Sequence, residues 1–302
     1  MRIGSEIALP APSTNHHQVD VRFAWGETIG VPLRPPGGKL LSHRDRGDGQ
    51  GWSLVETPSG FVMRAHGLFD FRIDRPGRQV AVHPAPGAQR ELAPLFLLGN
   101  VAAVIMSLAG EYPLHASAVA TPAGAIAFLG SVNSGKSTLA ALCCAAGARL
   151  VTDDLLRLAP DSGGFRCLPG PDQVRLRPAA AAVASHFRPT AVGRTADGRI
   201  EVRLGADHGR PRLRGIVVPS LARRWSALRL EPLTLPQAHY LLLGHARIGS
   251  WVAPEPLRAQ FTELAAVARS VPVYRAEIPW GAPYSVDLAS ELLAATGLAP
   301  NC

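Results

Sequence analysis

The pattern of apolar and polar residues divides the chain into two parts. Up to about residue 92, short alternating runs such as 60–64, 69–73 and 79–82 are separated by turn signals such as Arg75-Pro76-Gly77. Alternation with a period of two predicts half-buried strands, and we therefore predict a small β-rich module over residues 1–92. Residues 36–51 offer little that can be buried, which predicts a mobile loop ending at Trp52.

Longer apolar runs follow from residue 93. The stretch near 95–109 predicts a buried helix, and 114–120 and 125–129 predict strands on either side of a turn at Pro122-Ala123-Gly124. The remaining predicted elements are a helix over 138–146, strands over 148–152, 215–218 and 273–278, and helices near 237–243, 255–269 and 286–295. Because strands and helices intermix, residues 93–302 are predicted to form an α/β domain.

Composition excludes some classes of protein. The 302 residues are 47% apolar and 18% charged, which excludes a mostly disordered chain. The net charge of +8 comes almost entirely from arginine, since the only lysines are Lys39 and Lys136. We attribute this skew to genome composition. With no basic run interleaved with aromatic residues, we expect no nucleic-acid partner.

Cysteine usage and hydropathy indicate a reduced, cytoplasmic protein. The four cysteines show neither CxxC nor Cys/His metal spacing, and no signal-peptide pattern precedes Pro12. The most apolar run, 95–110, contains Gly99 and Asn100 and is shorter than the about 20 apolar residues of a membrane span. We therefore expect a buried helix and no membrane partner.

A phosphate-binding loop is the strongest chemical signal in the chain. It follows an apolar strand, precedes a helix and fits G-x-x-x-x-G-K-[ST] over Gly130-Ser131-Val132-Asn133-Ser134-Gly135-Lys136-Ser137. Glycines allow the backbone N–H groups to surround an anion, and the helix N-terminus adds positive potential. In such a loop Lys136 reaches the β- and γ-phosphates and Ser137 ligates Mg²⁺.

Other polar residues are candidates for the same site. Asp153 and Asp154 end the strand after the loop's helix, at the sheet edge where α/β proteins bind ligands; one carboxylate can hold Mg²⁺ and the other can accept a hydroxyl proton. A solvated turn with a helix cap is the alternative. His115 lies on the strand that precedes the phosphate-loop strand. A buried core histidine is the alternative interpretation there. Arg175 and Arg177 alternate on a short strand and suit phosphate, unless they are surface charges.

These residues, in this order, resemble a known family. His115-Ala116-Ser117-Ala118, the phosphate loop, 147–154 and 169–178 are similar to the catalytic domain of HPr serine kinase/phosphorylase. They resemble still more closely the HPr-kinase-like proteins of peptide tailoring, including kinases that modify lasso precursor peptides. The resemblance covers 95–180 well and extends loosely to about 295.

The resemblance implies a phosphoenolpyruvate-carboxykinase-like, HPr-kinase-like P-loop fold that uses ATP and Mg²⁺ to phosphorylate a serine of a peptide or protein. It matches the range from Gly130 to Thr138 to the nucleotide loop, and Asp153 and Asp154 to the paired aspartates, one of them the base. His115 matches the histidine beside that pair. We assign the metal to Ser137 and Asp154, and a role beside Lys136 to Arg175 or Arg177.

Some features depart from the family and leave alternatives open. The family's glycine-rich signature is not recognisable in residues 190–215, and the N-terminal module is different. A kinase with another acceptor is therefore favoured over an HPr-type kinase/phosphorylase of carbon regulation. A nucleotide-gated binding module without transfer is the third hypothesis. The N-terminal module is a candidate for docking a leader segment at a sheet edge, and the sequence leaves oligomer formation open.

Overall fold

The computed structural model describes residues 1–9, 19–45, 47, 51–205, 209–222, 227–279 and 285–298. The chain forms two compact units, the first made of Met1–Tyr112 with Ile248–Gln260 and the second of Pro113–Arg247 with Phe261–Cys302. The first division falls after Tyr112 rather than after residue 92. A later segment of the chain also returns to the first unit, which the sequence pattern did not indicate.

The first unit is built on a seven-stranded sheet, in the order β1-β2-β7-β6-β5-β4-β3. Its strands are β1 (Ile3–Ser5), β2 (Val21–Trp25), β3 (Lys39–Arg44), β4 (Trp52–Thr57), β5 (Gly60–Ala65), β6 (Phe69–Asp74) and β7 (Gln79–Pro84). Alternation buries one face through residues such as Phe69, Phe71 and Met63.

The predicted loop over 36–51 is wrong for β3. This strand pairs antiparallel with β4, and Leu41 is buried within it. The pairing of Leu40 with Val55 and the burial of Leu41 beside a largely buried partner strand outweigh the surrounding glycines and charges. Arg46 and residues 48–50 of the predicted loop lie outside the described residues.

A helical stretch follows β7, as predicted. It contains α1 (Ala93–Phe96), a π-helical turn (Leu97–Val101) and α2 (Ala102–Leu108). Among the described residues, Arg90–Leu108 alone is long and apolar enough to cross a membrane, and 56% of its apolar window is buried. A core helix passes the same test, so this is weak evidence for a span, and the absence of membrane and nucleic-acid partners stays a prediction.

The second unit has a mixed six-stranded sheet in the order β10-β8-β9-β16-β18-β17. Its elements, with those of the smaller sheets, are β8 (Ala116–Thr121), β9 (Gly124–Leu129), α3 (Lys136–Ala145), β10 (Arg149–Thr152), β11 (Arg157–Asp161), β12 (Gly164–Leu168), β13 (Gln173–Leu176), β14 (Val192–Arg194), β15 (Ile200–Arg203), β16 (Leu213–Ala222), β17 (Arg229–Pro232), α4 (Leu235–Gly244), α5 (Pro254–Ser270), β18 (Val273–Pro279) and α6 (Val286–Ala295).

Helices cover both faces of this sheet. On one face α3 and α6 pack through residues such as Leu139 and Leu292 against Phe128 of β9. On the other, α4 and the second-unit part of α5 pack through Leu242 and Val267 onto the alanine-rich surface of β8 and β9. Coverage on both faces explains why β8 and β9 are buried at every position.

Candidate active site

Strand direction brings the candidate residues together. β8 runs antiparallel to both β9 and β10, and therefore its beginning lies beside the ends of those two strands. The phosphate loop leaves the end of β9, the acidic pair leaves the end of β10, and His115 immediately precedes β8. β9 and β10 therefore run in the same direction, and the antiparallel β8 lies between them and contributes its own residues.

The loop between β9 and α3 has an unusual backbone. Asn133 and Gly135 have φ of 71° and 84°, the left-handed region that a tight anion-binding turn requires. A Cβ on Gly130 would overlap Ser134 Oγ, a buried hydroxyl without a hydrogen-bond partner among the described residues. No side chain caps the N-terminus of α3, which leaves its first-turn N–H groups for a ligand.

Lys136 folds back over this loop. Its Nζ donates hydrogen bonds to the carbonyl oxygens of Gly130 (2.8 Å) and Ser131 (2.9 Å). Burial lowers the pKa of Lys136, an effect that Asp154 and Asp153 oppose and Arg247 reinforces. The ammonium group is therefore held at the loop close to two carboxylates.

Asp153 is fixed by three donors. Its Oδ1 accepts hydrogen bonds from Ser117 Oγ (2.6 Å) and Ser137 Oγ (2.8 Å), and its Oδ2 accepts one from the backbone N–H of Arg175 (3.1 Å). The acidic residue beside the loop's serine is thus Asp153, and not Asp154.

Asp154 faces a cluster of basic groups. Its Oδ1 lies 3.0 Å from His115 Nδ1, and its Oδ2 accepts hydrogen bonds from Arg175 (3.3 Å) and Arg247 (3.2 Å). Its backbone has φ of 72°, which is uncommon for a residue with a side chain and tolerated best by Asn and Asp. Left-handed residues of this kind occur often at functional sites.

The charges around Asp154 set its protonation. Burial alone would raise the pKa of this carboxyl, but Arg247, then His115 and Arg175, hold it well below its ordinary value of 3.8. Asp154 is therefore ionised at neutral pH, able to accept a hydrogen bond from a hydroxyl group.

Most of the predicted site residues converge. Lys136 and Ser137 lie with Asp153 at the loop, and His115 and Arg175 lie with Asp154. Arg177 is different: β13 ends at Leu176, and Arg177 lies beyond the strand and is exposed. In the loop, Ser131, Val132 and Asn133 are exposed and Thr138 is buried behind it.

Two residues of the site were not predicted. Ser117 lies two positions after His115, an alternation that places both on the same side of the chain. Arg247 lies 93 residues after Asp154 in sequence, in a chain rich in arginine, and no local pattern indicates it. The segment His245–Arg247 reaches the site by pairing with the residues before β8, where His115 N donates to His245 O and Arg247 N to Pro113 O, both at 2.8 Å.

The site suits a cation that is bound chiefly through phosphate. No group of three His, Cys, Asp or Glu residues able to hold a metal occurs among the described residues. Mg²⁺ needs only one or two protein oxygen ligands when phosphates and waters supply the others. Ser137 Oγ and Asp153 Oδ1, 2.8 Å apart, match the spacing of about 3 Å between neighbouring octahedral ligands.

The similarity of this chain to known proteins is found among solved structures. No protein-family model matches this chain, and no curated protein matches it. Among solved structures, it is similar to the HPr(Ser) kinase/phosphatase from Coxiella burnetii, with a TM-score of 0.30 and 12% sequence identity, over 62% of this chain and 92% of that one.

Proposed function

We propose that this protein is an ATP- and Mg²⁺-dependent kinase that phosphorylates a serine hydroxyl of a peptide or protein. The observation that carries the proposal is the placement of the Asp154 carboxylate, held by His115 and two arginines beside a phosphate-type loop whose serine contacts Asp153. A protein that only binds nucleotide does not need a second, separately positioned carboxylate at that place.

Different groups at the loop bind different parts of the ATP–Mg²⁺ complex. The backbone N–H groups of the loop and of the first turn of α3 bind the phosphates, and Lys136 offsets their charge. Ser137 and Asp153 hold Mg²⁺, which revises the sequence-based assignment of the metal to Asp154. Bound there, Mg²⁺ supplies further charge neutralisation on the phosphate oxygens.

Asp154 acts on the acceptor. Its carboxylate orients the serine hydroxyl and accepts its proton as the serine Oγ–P bond forms and the bond from the γ-phosphorus to the departing ADP oxygen breaks. A carboxyl with a depressed pKa is a weak base, so orientation is its main contribution. This is sufficient because phosphoryl transfer depends mostly on positioning and electrostatics. His115 fixes the direction of the carboxylate.

The experiment separates nucleotide binding from transfer. Purified protein is incubated with ATP, Mg²⁺ and either HPr protein or a library of serine-containing peptides, and products are identified by mass spectrometry; ATP affinity is measured by calorimetry. We expect Asp154→Asn to reduce transfer at least about 100-fold without weakening ATP binding. Phosphopeptides without phospho-HPr would favour an acceptor other than HPr.

Substituting each of the two lysines of the chain provides a matched test of ATP binding. We expect Lys136→Ala to abolish measurable ATP binding and Lys39→Ala, in β3 of the other unit, to leave it unchanged. Absence of ATP binding by the wild-type protein would overturn the proposal, as would full transfer by both Asp153→Asn and Asp154→Asn. Binding with no phosphorylated product from any acceptor would instead identify a nucleotide-gated binding protein.

A further inference from the structure

Three basic groups contact the carboxylate of Asp154. His115 occupies Oδ1, and Arg175 and Arg247 both donate to Oδ2. A hydroxyl that approaches Oδ2 must therefore displace one of the two guanidinium groups, and a guanidinium leaves a carboxylate readily only when another anion receives it. The terminal phosphate of the proposed nucleotide is such an anion.

The two arginines are held differently. Arg175 belongs to β13, and its backbone N–H donates to Asp153, so that it bridges both aspartates. Arg247 comes from the segment after α4, and its side chain is 16% exposed. Arg247 donates to Asp154 Oδ2 at 3.2 Å, and its positive charge is close enough to Lys136 to lower the pKa of that lysine. Arg247 therefore lies near the phosphate loop as well as beside Asp154.

The segment that carries Arg247 has a fixed backbone. Ala246 pairs with Leu114, and the flanking hydrogen bonds tie His245 and Arg247 to residues before β8. Ala246 is buried while its two neighbours are partly exposed, so His245 and Arg247 project to the same side. A fixed backbone allows only the guanidinium end of Arg247 to change partner.

We infer that Arg247 exchanges Asp154 for the terminal phosphate of the bound nucleoside triphosphate and so couples nucleotide binding to acceptor binding. This inference rests on the proposed function. Without nucleotide, Arg247 holds the carboxylate; with ATP bound, it contacts the γ-phosphate and Asp154 Oδ2 becomes accessible to the serine hydroxyl. The diphosphate lacks the group that draws Arg247 away, so the exchange discriminates ATP from ADP.

The test is a double-mutant cycle on the affinities for ATP–Mg²⁺ and ADP–Mg²⁺, measured by calorimetry. We expect Arg247→Ala to weaken ATP binding about tenfold and ADP binding less than about twofold, the effect of one lost charge-assisted contact. Asp154→Asn frees Arg247 and should tighten ATP binding severalfold. That tightening should disappear in Asp154→Asn/Arg247→Ala.

Controls separate this inference from structural damage and from the proposed function. Arg72→Ala removes an exposed arginine of β6, in the other unit, and should change neither affinity, while Arg247→Lys should recover only part of the ATP selectivity because lysine lacks the planar fork. An unchanged ATP/ADP ratio in Arg247→Ala would overturn the inference while leaving the kinase proposal intact. No nucleotide binding by the wild-type protein would overturn both.

Discussion

At the scale of single residues, the position of Asp153 depends on how closely Gly170 approaches β10. Gly170 N donates to Val151 O (2.8 Å), and a Cβ on Gly170 would overlap Thr152 Oγ1 and lie 2.7 Å from Thr152 Cβ. Thr152 is fully buried and cannot move outwards. We expect Gly170→Ala to lower the free energy of unfolding by about 1–3 kcal/mol, measured by urea denaturation, and to weaken ATP binding.

Gly193 provides the control for this substitution. No atom lies within 4 Å of a Cβ built there, and its φ is outside the left-handed region. Gly193→Ala should therefore leave stability unchanged or slightly increased, since alanine restricts the unfolded chain. Equal losses at the two positions would show that the contact with Thr152 is unimportant.

A second residue-scale prediction concerns the pH dependence of stability. His66 is buried, and its Nε2 lies 3.1 Å from Ser53 Oγ. Burial, with His43 and Arg64, lowers the pKa of His66 below its ordinary value of 6.5, although Asp45 and Asp70 oppose this. The unfolded chain therefore binds the proton more readily than the folded protein does. The contribution of neutral His66 to the free energy of unfolding is fully present above pH 6.5 and is lost as the pH falls below that value.

Chemical denaturation at several pH values tests whether the free energy of unfolding falls as the pH is lowered. Between pH 7 and pH 5 the wild-type protein should lose more free energy of unfolding than His66→Gln, which keeps a hydrogen-bonding group near Ser53. His186→Gln removes an exposed histidine and should follow the wild type. If His66→Gln and wild type lose stability in parallel, the buried neutral histidine does not contribute.

At the scale of elements, a buried ion pair joins β5 to β6. Arg64 Nε and one terminal nitrogen each lie 2.7 Å from an oxygen of Asp70, and another terminal nitrogen donates to Arg34 O. Removing the carboxylate leaves a buried guanidinium unpaired. We expect Asp70→Ala to cost about 3–5 kcal/mol by chemical denaturation. Asp20→Ala, which breaks the exposed pair with Arg2, should cost no more than about 1 kcal/mol.

The elements that sequence predicted well are those with one dominant signal. β8 and β9 are apolar at almost every position, and α3 follows a glycine-rich turn, so pattern alone located them. The hairpin of β11 and β12 was missed because its strands are short and only partly buried. Its turn carries Ser162-Gly163, with Gly163 at φ of 75°, a signal that was available.

The site was predictable only where its residues are local in sequence. The phosphate loop and the acidic pair follow strands directly, and their convergence follows from sheet topology. Arg247 depends on a pairing between distant segments, and the exposure of Arg177 depends on where β13 ends. Which aspartate contacts Ser137 depends on the backbone at Asp154, whose left-handed φ turns consecutive side chains apart. Residue spacing does not contain that information.

At the scale of the whole molecule, the site residues all belong to the second unit. Bound nucleotide stabilises the folded state by RT ln(1 + [L]/Kd), or about 2.7 kcal/mol at a concentration 100 times Kd. In the proposed binding mode, it also covers the N–H groups at the start of α3, which no side chain caps. Hydrogen exchange therefore reports where the ligand binds as well as whether it binds.

With ATP and Mg²⁺ at about 100 times Kd, we expect amide exchange measured by mass spectrometry to slow most in peptides that cover residues 130–139 and the end of β10, because these carry the loop, the first turn of α3 and Asp153. Peptides from β5 and β6 provide the internal reference, since no site residue comes from that sheet. Lys136→Ala should show no such slowing at the same ATP concentration. Protection that is strongest in the N-terminal sheet, or that persists in Lys136→Ala, would place the nucleotide elsewhere and contradict the assignment of the loop between β9 and α3.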